Sequence, residues 1–90
     1  MEEDASRANS GTVAGCVYYE TEARWVGMAY NHLVHLSSTC QHTMVCEVST
    51  DVNQDAVAVE LLSGQKKTVT TYIGSPASEF TATVTCEKKD

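Results

Sequence analysis

The three histidines of this chain, His32, His35 and His42, fall within eleven positions, and Met44 follows two residues after the last of them. Imidazole is a borderline ligand and thioether a soft one, so such a set suits copper, or through the imidazoles zinc. The spacing works against it. His32 and His35 are three residues apart and on a strand would face opposite ways, whereas His42 and Met44 would share a face. A complete site then needs a bulge or two converging strands. The competing reading makes His32 and His35 partly exposed strand residues and Met44 a filler of the core. A second donor set is Asp51, Asn53 and Asp55, whose alternating oxygens are of the type that calcium takes. An EF-hand loop would carry Gly at its sixth position and Glu at its twelfth. Ala56 and Leu62 stand there instead, which favours an Asx-type turn between two strands.

Four cysteines, Cys16, Cys40, Cys46 and Cys86, are the remaining reactive side chains. No two have Cys-x-x-Cys spacing, which counts against a structural zinc site and a thioredoxin-type centre. Cys40 and His42 would point the same way on a strand, but no cysteine precedes a helix that would stabilise a thiolate, so a nucleophile is disfavoured. Disulfides are the better use, and four cysteines allow three pairings. Cys46 and Cys86 both sit on the apolar face of their strands. A bridge between them would staple two sheets, leaving Cys16 to pair with Cys40. The rival pairing joins Cys40 to Cys46 and Cys16 to Cys86. Other catalytic signatures are missing: there is no Gly-rich phosphate cradle, no G-x-S-x-G and no H-E-x-x-H. The chain reads as a non-enzyme.

The elements that must position these residues are strands. Val17 to Trp25 alternates, with Val17, Tyr19, Ala23 and Trp25 on one face, although a short helix would also fit. Further strands are predicted over 30–36, 44–50, 56–62, 65–73 and 80–86, separated by turn signals. In the last, Phe80, Ala82, Val84 and Cys86 share a face while Thr81, Thr83 and Thr85 face water. Residues 1–15 are small, polar and without period, and read as a flexible N-terminal arm ahead of a single domain over 16–90. The expectation is an all-β, disulfide-stapled β-sandwich of six to seven strands.

The passage Val57 to Gln65, followed by Thr68-Val69, resembles the strand, Gly-Gln turn, strand segment of immunoglobulin-like bacterial domains. The resemblance implies architecture alone, and no tryptophan lies between Cys46 and Cys86 to pack on a bridge.

Charge and length set the class of partner. The net charge is -6 and the four lysines are confined to Lys66-Lys67 and Lys88-Lys89, so no basic stripe exists for nucleic acid. No apolar run approaches the roughly 20 residues of a membrane span. A chain of 90 residues buries little core, and disulfides compensate only in an oxidising compartment. A secreted or periplasmic protein is therefore expected, with its signal peptide already removed, because Met1-Glu2-Glu3-Asp4 has no signal character. The function expected is a structural or interaction module that self-associates or binds a protein through strand edges or its N-terminal arm. The alternative is a small copper- or zinc-binding periplasmic protein.

Overall fold

Residues 4–89 are described by a computed structural model. They form eight strands: β1 (Asp4–Ala8), β2 (Ser10–Val13), β3 (Val17–Trp25), β4 (Tyr30–Ser38), β5 (Met44–Thr50), β6 (Val57–Leu61), β7 (Lys66–Ser75) and β8 (Ala82–Lys88). Two antiparallel sheets result, one ordered β1-β8-β5-β6 and the other β2-β3-β4-β7. No helix occurs among the described residues, so the helical option for 17–25 falls away.

Alternation decides the inner faces. In β5 the side chains of Met44, Cys46, Val48 and Thr50 are buried, and in β8 those of Ala82, Val84 and Cys86. They meet Val17, Tyr19, Val34, Leu36 and Val69 of the other sheet in one core. Phe80 also packs into it, from the loop before β8 rather than from the strand, which begins two residues later than expected. The apolar character of that position was legible, but its backbone pairing was not.

The largest departure lies at the N-terminus. Within the segment expected as an arm, residues 4–8 and 10–13 are strands, one in each sheet. Asn9 alone separates them. Edge strands are held through backbone bonds, so they form without an apolar period in the side chains. Within 10–13, Val13 is fully buried and belongs to the core. Ala14 and Gly15 both adopt positive φ, 55° and 75°, to turn the chain into β3, a conformation that costs glycine little. Opposite β3, Gly11 lies on the Tyr19 ring, where a Cβ would come 3.0 Å from the hydroxyl.

Candidate functional site

The cysteines pair as parity favoured, Cys16 with Cys40 and Cys46 with Cys86. None is left as a thiol, so Cys40 and His42 cannot form a nucleophilic pair. One expectation is corrected. Cys46 lies directly opposite Cys86 on the neighbouring strand, so that bridge closes β5 on β8 within one sheet and does not join two. Parity identifies the face of a side chain but not the strand beside it. Cys16 is the last residue of the β2–β3 turn and Cys40 follows β4; their bridge fastens that turn to the end of β4, where the Thr39 amide also donates to the Cys16 carbonyl at 2.9 Å.

The histidines and Met44 are not brought together. His32 faces the core, fully buried and stacked on Phe80 with ring centroids 4.1 Å apart. Its Nε2 lies 2.8 Å from the Ala77 carbonyl, to which it donates, while Nδ1 has no partner among the described residues. His35, on the opposite face of β4 as its spacing predicts, lies half-exposed. His42 is exposed in the loop before β5, because that strand starts only at Met44, and Met44 is in the core. The expected common face of His42 and Met44 is thus lost. Among the described residues no group of three or more His, Cys, Asp or Glu side chains is placed to hold a metal ion.

His35 instead joins three strands across the outer face of its sheet. Its Nε2 is 2.7 Å from Glu22 Oε1 on β3, and its Nδ1 is 2.9 Å from Thr68 Oγ1 on β7. The Arg24 guanidinium donates to both oxygens of Glu22, at 3.0 and 3.1 Å. Arg24 first and His35 second hold the Glu22 carboxyl below its usual value. In a carboxylate, imidazole and hydroxyl set the carboxylate orients the ring and the imidazole can take the hydroxyl proton. Here, however, Glu22 and His35 are 38% and 37% exposed, His35 and Thr68 border a shallow depression of about 340 Å³, and water reaches every member. Sequence reasoning missed this set because its residues lie in three strands and meet only once the register is known.

The acidic loop is occupied with its own backbone. Thr50 Oγ1 accepts from the amides of Val52 and Asn53, Asn53 Oδ1 from that of Asp55 at 3.1 Å, and Asp51 Oδ1 from that of Thr81 at 3.0 Å. Asn53 Nδ2 donates to the Thr71 carbonyl of β7. These are turn contacts, in which Asp51 and Asn53 each give one side-chain oxygen to an amide proton.

The N-terminal strand is the feature with the plainest chemistry of association. β1 is the outer strand of its sheet and pairs with β8 from Asp4↔Cys86 to Ala8↔Ala82. Cys46 and Cys86 have Cα atoms 4.0 Å apart, the separation of a pair that does not exchange backbone bonds. The amide and carbonyl of Cys86, and by alternation those of Val84 and Ala82, therefore turn toward β1. Asp4, Ser6 and Ala8 supply about six bonds to them. At about 0.5–1.5 kcal/mol net for each bond the pairing contributes roughly 3–9 kcal/mol. Ordering five backbone residues costs roughly 5–10 kcal/mol. The ranges overlap, so main-chain bonds alone leave β1 little margin. Behind it, Asn9 is fixed to the body, because its carbonyl accepts the Thr21 amide at 2.8 Å.

At the β3–β4 turn Trp25 packs edge-on to Tyr30, and Val26 and Met28 stand in solvent, as does Ile73 of β7. Compared with known proteins, the chain matches no protein family, no curated protein and no solved structure.

Proposed function

We propose that this protein is a secreted or periplasmic, non-enzymatic interaction module that works by β-strand addition, with residues 4–8 as the donor strand and the edge of β8 as the acceptor. The observation that carries the reading is the edge position of β1, which pairs with β8 through its backbone and is joined to β2 by Asn9 alone. Main-chain bonds give such contacts affinity, and alternate side chains give them specificity. Two disulfides require an oxidising environment, which supports the location outside the cytoplasm. An immunoglobulin-like architecture is supported by the wrapping of the chain: the successive strands β4 and β5 lie in different sheets and pair with β7 and β8, which are successive and divided in the same way.

The test is removal of residues 1–9. The trimmed protein should bind a labelled peptide of residues 1–9, whereas the intact protein should bind it weakly or not at all. A trimmed protein that keeps the near-ultraviolet circular dichroism of the intact one and ignores the peptide would refute the proposal.

A further inference from the structure

We infer that β1 is exchanged reciprocally between two copies of this chain, each body completing its β8 edge with residues 4–8 of the other. The inference rests on the strand-addition reading and names its partner. The complement of the β8 edge is already known from the register: it is residues 4–8 of this sequence, and a second copy presents the same strand. A single connecting residue limits how far the strand can swing, since one residue spans only about 3.5 Å. The accepting edge must therefore lie beside the donor's Asn9. That residue adjoins the start of the β8 edge, because its neighbour Ala8 pairs with Ala82. Pivot and acceptor share one region of each body, so two copies meeting there fit each other in both directions and close as a two-fold dimer.

The pivot has the fixity and the room this requires. The Asn9 carbonyl stays bonded to β3 whichever edge the strand takes. A cleft of about 210 Å³ lies beside it, bordered by Thr21, Glu79 and Phe80, into which the chain can redirect. Exchange replaces each backbone bond of β1 with the identical bond in the partner, so the bonds themselves favour neither form. Short connections of this kind favour exchange.

The experiment uses the full chain. Ala5 and Thr85 are register partners at a position that does not exchange backbone bonds, where a cross-strand disulfide fits. Ala5→Cys and Thr85→Cys variants, made separately and mixed at high concentration under mild oxidation, should yield a 5–85 bridge between two chains, identified by peptide mapping. Wild-type protein in ordinary and nitrogen-15-labelled forms, mixed and weighed under native conditions, should give the two pure dimers and the hybrid at roughly 1:2:1. The exchange is overturned if the Ala5→Cys/Thr85→Cys double variant closes only within one chain and no hybrid mass appears. A ladder of larger linked species would likewise overturn the closed dimer. Either failure leaves strand addition itself to be judged by peptide capture on the trimmed protein.

Discussion

Replacing the buried bridge by the pair Cys46→Ala/Cys86→Val tests what the disulfides contribute. The substitution keeps apolar bulk at two positions that are fully buried, so packing changes little and the principal loss is the cross-link. The bridge closes a loop across a sequence separation of 40, for which the chain-entropy account gives about 4 kcal/mol. Cys16–Cys40, with a separation of 24, gives about 3.5 kcal/mol. A domain of this size has roughly 5–10 kcal/mol in all, and each kcal/mol moves its melting point by about 4–8 °C. Loss of Cys46–Cys86 should therefore lower Tm by about 15–30 °C, and loss of Cys16–Cys40 by only slightly less, although Cys16 is partly exposed. Urea unfolding followed by far-ultraviolet circular dichroism is the suitable assay, because Trp25 is already 57% exposed and its emission would report little. The m-value should rise as the unfolded chain expands. Equal melting points for wild type and both variants would refute the view that these bridges brace the fold. A much larger loss for the buried pair would show that packing around sulfur, not loop closure, sets their worth.

Tyr19 carries a buried hydroxyl without a partner among the described residues, so Tyr19→Phe should be neutral or stabilise by up to about 1 kcal/mol in urea titration. Gly11→Ala, pressing on the same ring, should destabilise by about 1–3 kcal/mol. The carboxyls of Glu22, beside Arg24 and His35, and of Glu60, beside Lys89 and Lys67, are held below the usual 4.5. Their contribution is present above that pH and is lost as pH falls through the lowered values; Glu22→Gln should flatten the fall in urea midpoint below about pH 4.5. Asn53→Ala removes a bond to the Thr71 carbonyl and the one from the Asp55 amide, and should cost about 1–3 kcal/mol with no difference between calcium and chelator in thermal melts. His32→Ala should cost about 3 kcal/mol and open the 76–81 loop to limited proteolysis, since Ala77 and Phe80 lose their contacts to the ring.

Strands with one wet face and one dry face could be read in advance. Met44 to Thr50 and Ala82 to Cys86 alternate as their burial does, and that alternation sufficed to pair the cysteines. Which strand stands beside which is a property of the whole sheet, so the bridge within β5 and β8 was mistaken for one between sheets. Residues 4–13 gave no signal because they dock through amides and carbonyls that every sequence possesses. The spacing of the histidines and Met44 already set His32 and His35 on opposite faces, and that part of the reading matches the structure. His42 leaves the strand register altogether, and His35 finds its partners 13 and 33 residues away.

The pairing of Asp4 with Cys86 sets the two ends of the folded chain side by side. Tension applied through the ends would peel β1 from β8 one bond pair at a time rather than shear the strands along their length. Peeling runs on past Ala8↔Ala82 and β2 before it meets its first covalent stop, at Cys16, whose bridge hands the load to the end of β4, while Cys46–Cys86 keeps β8 on β5. Strung in series, such domains would yield their first strand at low force and then hold.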